Sequence, residues 1–167
     1  MRFSAGRVDV GAITLDAKTR NEIERRCIVV YTGQSRISGE TIEAVLRAYR
    51  DRQPRVLNAL RQMRAGAEHM AEALAAGDID RLASLVEEQW TYQRSLHPAI
   101  PTPLIDEIIA CARDAGALGA KALGASGGGC VLVIAGHDGA DALRNVMASL
   151  GETLPFSVAM SGVERCV

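Results

Sequence analysis

Three consecutive glycines, Gly127, Gly128 and Gly129, stand directly in front of the apolar run Cys130–Ala135, inside the stretch GAKALGASGGGCVLVIA at residues 119–135. Glycine loses more conformational freedom on folding than any other residue. A tight connection between two strands needs only one or two of them. The apolar run reads as a buried strand, so one end of this loose backbone is anchored. Consecutive amide groups in such a loop can converge on an anion, and Lys121 places a positive charge nearby. The segment therefore suits a phosphate, or the bracing of another loop that holds one. A plain hairpin connection stays open as the alternative. A Walker-type phosphate loop is excluded, because its lysine follows the glycines. The dinucleotide fingerprint is excluded as well, because Gly124, Gly127, Gly128 and Gly129 have the wrong spacing and a strand follows.

The chain of 167 residues is long enough for one domain with its own core. Hydrophobic residues make up 48% but aromatics only 4%, so the core must be built from Leu, Ile, Val, Ala and Met. The net charge of -1 argues against a nucleic-acid surface. A small anionic ligand needs only local donors. Cys27, Cys111, Cys130 and Cys166 form no Cys-x-x-Cys pair, which points to buried thiols in a reduced, cytoplasmic protein. No stretch approaches the ~20 apolar residues that span a bilayer, and MRFSAGRVDV has no signal-peptide pattern.

Alternating apolar residues over 1–15 predict one or two strands, and 16–26 a turn or short helix. CIVVYTG at 27–33 predicts a buried strand. Ser38 is a candidate cap for a helix carrying Ile42, Val45, Leu46 and Tyr49 on one face. Val56, Leu60, Met63, Ala67, Met70 and Leu74 form a bundle-type seam ended by Gly77, and Asp78 can cap the next helix. Ile79, Leu82, Val86 and Trp90 continue the stripe. HPAIPTP at 97–103 is a rigid connector, in which Thr102 and Pro103 start a helix with Leu104, Ile105, Ile108, Ile109 and Ala112 on its apolar face. Gly116 ends it. A short strand near 120–123, the strand at 130–135, a helix from about 140 to 150 and two strands around 153–160 and 163–167 complete the chain. This order predicts an α+β domain, an antiparallel sheet of about four strands with helices packed on one face.

KALGASGGGCVL resembles the third motif of the GHMP kinases, the family of galactokinase, homoserine kinase, mevalonate kinase and phosphomevalonate kinase. Lys121, Gly124, Ala125, Gly127, Gly128, Gly129 and Cys130 match its pattern, and Ser126 replaces the usual glycine. YTGQSR at 31–36, HPAIPTPLIDEII at 97–109 and GALGAKALG at 116–124 are similar to the bacterial heptose-phosphate and sugar kinase branch. The resemblance covers roughly residues 24–160. It implies the ferredoxin-like C-terminal domain of these kinases over 24–167, with 1–23 as trailing strands of an N-terminal domain. That domain would carry a phosphate loop of the form P-x-x-x-G-L-G-S-S-A and the magnesium-binding residues, and the sequence contains no such loop. A chain beginning inside a β segment is expected to be a fragment, or one half of a split kinase.

The implied chemistry is transfer of the ATP γ-phosphoryl group to a sugar or sugar phosphate, with ATP and Mg held mainly by the other domain. Lys121, Gly124, Ala125, Ser126, Gly127, Gly128 and Gly129 would support the triphosphate, while Thr32 and Arg36 would face the acceptor. No catalytic or metal-ligating residue is assigned here, and the separate chain is expected to be inactive, with a mobile glycine loop. The expected partners are the N-terminal kinase domain and the sugar substrate, with neither nucleic acid nor membrane. A stand-alone metabolite-binding or regulatory module, or a structural domain forming a homodimer through the Val56–Leu74 seam, are the alternatives. His69, His97 and His137 read as structural or turn residues. Asp106 and Glu107 complement a helix start, Glu87 and Glu88 read as a solvated face, Trp90 and Tyr92 as packing residues and Cys130 as a small apolar filler.

Overall fold

A computed structural model describes residues 1–4, 6–34 and 39–160. Ser38 and the strand expected at 163–167 lie outside the described residues. The chain opens with a hairpin of β1 (Arg2–Ser4) and β2 (Arg7–Asp9). Phe3, Val8 and Val10 on this hairpin are all more than half exposed. Residues 10–16 form no strand. Helix α1 (Ala17–Arg26) follows, capped by Asp16, whose carboxylate accepts the Thr19 amide. It runs directly into β3 (Cys27–Tyr31), and the division expected at residues 23 and 24 falls inside it.

Four helices separate β3 from the next strand: α2 (Gly39–Arg50), α3 (Pro54–Ala76), α4 (Ile79–Ser95) and α5 (Pro103–Asp114). The caps follow the local chemistry. Gly77 closes α3 at φ 68°, Asp78 accepts the Arg81 amide at the start of α4, and Thr102 Oγ1 accepts the Ile105 amide ahead of Pro103 in α5. Then come β4 (Ala117–Ala122), β5 (Cys130–Ala135), α6 (Ala140–Ala148) and β6 (Glu152–Leu154). The last strand is shorter than expected because Pro155 has no N–H to continue the ladder.

The sheet order is β4-β5-β3-β6, and every neighbouring pair is antiparallel. By register, Ile28, Val30, Ala120, Ala122, Val131 and Val133 share one face, and all are fully buried. Helix α5 covers that face with Ile105, Ile108, Ile109 and Ala112, and α6 adds Leu143 and Met147. The i, i+3, i+4, i+7 spacing of the α5 residues dictates this docking. The result is the expected α+β domain, an antiparallel sheet of four strands, with α5 and α6 on this face and further helices reaching one end of the other. The opposite face carries Val29, Tyr31, Lys121 and Leu132, which are only half-buried. Among the described residues, α1, the end of α3 and the start of α4 cover its Cys27–Ile134 end, and Leu132 packs at the margin of that cluster.

The Val56–Leu74 stripe of α3 lies against the two cores within the chain, Val56, Leu60 and Met63 on one and Met70 and Leu74 on the other. The deepest positions on α3 are Val56, Ala59 and Ala73. Two of these are alanines, and small residues let α3 and α4 approach closely.

Cys27 is one of three free cysteines among the described residues. Burial pushes its thiol up to about 11. The unfolded thiol ionises near 9.0, so stability is fully present below that pH and is lost as the pH climbs toward 11. Cys27→Ala should remove this alkaline slope. In the native chain at pH 8, iodoacetamide should leave Cys27 unlabelled until denaturant is added; immediate labelling would contradict the assignment.

Candidate functional site

β4 is an edge strand, and α4 runs beside it. The sequence places a fully buried Ala83 of α4 against Gly119, where an added Cβ would sit 2.0 Å from the Ala83 carbonyl oxygen. One turn on, Glu87 accepts the Ala120 amide at 3.0 Å and pairs with Arg113. Glu87 thus ties the strand edge to α4 and α5, a task that the reading of a solvated acidic face did not foresee. Buried Trp90 follows, and then Gln93, whose Nε2 donates to the Gly124 carbonyl at 2.9 Å. Ala83 to Gln93 spans about 15 Å at the rise of a helix. Gly119 to Gly124 spans about 17 Å at the rise of a strand. The two elements therefore stay in step from the close contact to the glycine loop.

The loop between β4 and β5 has a left-handed backbone over most of its length. φ is 65° at Gly124, 64° at Ser126, 87° at Gly127, 154° at Gly128 and 82° at Gly129. Side chains are strained in this region, which explains the glycines. Ser126 is the exception, and it is buried with its hydroxyl donating to the Ile100 carbonyl at 2.7 Å. The substitution seen against the family pattern thus fastens the loop to the connector between α4 and α5. Ser126→Ala should cost about 1 kcal/mol through the lost hydrogen bond. Ser126→Gly loses the same bond but relieves about 1 kcal/mol of left-handed strain, so it should come out near neutral. Urea denaturation of the two variants tests this, and glycine proving the worse of the two would contradict it.

The far end of the loop is held by the segment after β3. The Gly129 amide donates to the Gln34 carbonyl at 2.7 Å, and the Thr32 amide donates to the Gly129 carbonyl at 2.9 Å. Thr32 is buried, and its hydroxyl donates to the same Gly129 carbonyl at 2.8 Å. The threonine expected to face an acceptor therefore braces the loop through its side chain. Arg36 lies outside the described residues. Between these anchors Gly127 and Gly128 are buried. Among the described residues, the amides of Gly124 to Gly128 donate to no protein acceptor.

Lys121 is half-buried on β4, and burial holds its pKa below the ordinary lysine range. It stands near Gly124 and Ala125, so the structure brings together the predicted loop residues, Lys121 and Thr32. Gln93 is the residue that sequence reasoning missed. Its only signal was its place one turn after Trp90 on a buried helix face, and its partner is a main-chain carbonyl that no pattern announces. Neither His69, which is exposed, nor His137, which sits with Glu22 and Arg25, belongs to this site. Among the described residues no three His, Cys, Asp or Glu side chains gather to hold a metal ion. No helix of the described residues is long and apolar enough to cross a membrane.

The family described as "GHMP kinases C terminal" matches residues 70–153. Among curated proteins, the bifunctional fucokinase/GDP-fucose pyrophosphorylase of Arabidopsis thaliana is 24% identical over 161 residues, which is 96% of this chain and 15% of that protein. The solved phosphomevalonate kinase of Streptococcus pneumoniae, in complex with phosphomevalonate and AMPPNP, superposes with a TM-score of 0.61 at 22% identity, covering 77% of this chain and 39% of that one. The D-glycero-D-manno-heptose 1-phosphate kinase of Bacteriodes thetaiotaomicron gives a TM-score of 0.53 at 19% identity, with 89% and 38% covered. The chain spans less than half the length of each of these relatives.

Proposed function

This chain belongs to the GHMP kinase family as a C-terminal domain, and from that premise we propose that it forms one wall of a phosphoryl-transfer site whose acceptor is a sugar or sugar phosphate. The observation that carries the reading is the Gly124–Gly129 backbone. It is held at both ends by Gln93, Ser126 and Thr32, and its inner amides have no acceptor among the described residues. Phosphoryl transfer depends on positioning and on neutralising charge around the transferred group. Main-chain donors fastened before substrate arrives do this without reorganising during the reaction.

An N-terminal kinase domain is the partner that this reading requires. It would supply the main ATP phosphate loop and the magnesium ligands, which we do not assign to any described residue here. The half-buried face of Val29, Tyr31 and Leu132 and the exposed apolar residues of the β1–β2 hairpin are surfaces that such a domain would cover. When ATP is bound, its γ-phosphate is the group transferred. The contribution of this chain is to hold the triphosphate from the glycine side and to exclude water there. We place the protein in the cytoplasm, in keeping with a substrate and nucleotide found there.

Titration with inorganic triphosphate, followed by amide NMR, tests the reading. The amides of Gly127 and Gly128 should show the largest shifts, and the chain alone should hydrolyse ATP no faster than background with a panel of sugars. Shifts scattered over the surface with the loop silent would overturn the loop assignment. Turnover above background would overturn the need for a second domain.

A further inference from the structure

Arg47, Arg50, Arg52, Arg55, Arg61 and Arg64 crowd the corner where α2 turns into α3, and Asp51 is the one carboxylate between them in sequence. The whole chain has a net charge of -1, so this corner is basic in a protein that is otherwise acidic. All six arginines are exposed. Among the described residues none of them forms an ion pair. Arg47 and Arg50 stand in the last turn of α2, where a cation complements the helix dipole. That role does not account for the other four. A cavity of about 390 Å³ opens at the corner, lined by Tyr49, Arg50, Arg52, Leu57 and Arg61. Its volume lies within the range of small-molecule sites. The lining holds three guanidinium groups and no carboxylate, and Tyr49 is 51% exposed. The Gln53 amide donates to the Ala48 carbonyl and the Arg52 amide to the Tyr49 carbonyl, each at 3.0 Å. This turn closes α2 with Arg52 at φ 54°, the left-handed position that glycine usually holds. Tyr49 lies about 15 Å along α2 from Gly39, and no residue of the glycine loop lines this cavity.

We propose that this cavity is a second ligand site, separate from the glycine loop, for a small molecule that joins a flat aromatic ring to phosphate groups, of the nucleoside diphosphate class. Arg50, Arg52 and Arg61 take the phosphates, and Tyr49 takes the ring. Guanidinium groups present a rigid fork of donors that matches phosphate oxygens in pairs. Three of them facing one space without a carboxylate repel each other until an anion enters. A phosphate alone would leave the Tyr49 ring and Leu57 facing solvent, whereas a base covers them by stacking. Backbone strain in a non-glycine residue collects at ligand sites, and Arg52 lines the cavity from such a position. Helix α2 buries none of its residues, so an occupant between Tyr49 and Arg61 would tie its end to α3.

The test uses the full chain at physiological salt, with the Tyr49 ring and the arginine side-chain resonances as reporters. The probes are ADP, adenosine, inorganic pyrophosphate and a single-stranded oligonucleotide. ADP should bind about tenfold more tightly than pyrophosphate, the difference being the stacked base, and should shift Tyr49, Arg50, Arg52 and Arg61 together. Arg61→Gln should weaken ADP about tenfold with the circular dichroism unchanged. Tyr49→Leu should erase the preference for ADP over pyrophosphate. Arg52→Gly should raise the urea midpoint by relieving the left-handed strain and still weaken ADP several-fold, a pairing that an arginine of purely structural role would not show. Arg55→Gln, outside the lining, is the control and should leave ADP binding nearly unchanged. Weak binding of every anion in proportion to its charge would overturn the site and leave a solvated basic face. An oligonucleotide that outcompetes ADP would overturn it too, in favour of a nucleic-acid surface. Shifts at Gly127 and Gly128 are read separately, so this site and the kinase reading stand or fall apart.

Discussion

Gly119→Ala is expected to destabilise the chain by about 3 kcal/mol or more, at the upper end of what overpacking costs. The added methyl would meet the Ala83 carbonyl oxygen at 2.0 Å and its carbonyl carbon at 2.7 Å. These are backbone atoms in the middle of a helix, and no rotamer change can move them aside. Either α4 shifts away from the edge strand or β4 loses its register. Because α4 also carries Glu87 and Gln93, the shift should reach the Ala120 amide and the Gly124 carbonyl. The variant should therefore show a lower urea midpoint together with altered chemical shifts along the glycine loop. Gly136→Ala is the control, since its methyl would lie 4.0 Å from the nearest atom, Leu118 Cγ. It should stay within about 1 kcal/mol of the parent chain. Equal midpoints for the two variants would mean that α4 and β4 are not packed backbone to backbone.

Gly128→Ala should reduce affinity for inorganic triphosphate at least tenfold. At φ 154° Gly128 occupies a region closed to side chains, and forcing alanine there costs on the order of 1–3 kcal/mol. The loop would escape by rotating the peptide units that flank the position, and those units hold the donors assigned to the anion. Gly124→Ala provides the comparison. Its φ of 65° is left-handed, yet an added methyl would enter open space. Strain of about 1 kcal/mol is then the whole effect, and affinity should fall much less. Calorimetric titration of both variants decides the matter. Unchanged binding in Gly128→Ala would remove the main chain from the phosphate site and leave the loop as a hairpin connection.

These two glycines differ in how visible they were. Gly128 stands in a run of three before an apolar strand, and the cost of ordering such a run already marked it as purposeful. Gly119 looks like any glycine in GALGAKALG. Its importance comes from Ala83, a residue distant in sequence that α4 brings against it. Thr32 shows the same division. Its position beside the loop was legible, but the direction of its hydroxyl was not, because the Gly129 carbonyl competes for it only once β3 and β5 pair.

Local rules were sufficient wherever the determining partner lies within a few residues. Asp78 and Thr102 as caps, Gly77 and Gly116 as helix ends, and the stripes of α4 and α5 follow from short-range hydrogen bonding and a period of 3.6 residues. The four-stranded antiparallel class follows from the order of those elements. Long-range packing decided the rest: which alanines let α3 and α4 close up, that Glu87 ties a strand edge, that Gln93 anchors the loop, and that Tyr49 and Arg61 border one cavity. A chain specifies its helices and turns through neighbours it carries with it, whereas the contacts that shape a site join segments whose meeting is set only when the whole core condenses.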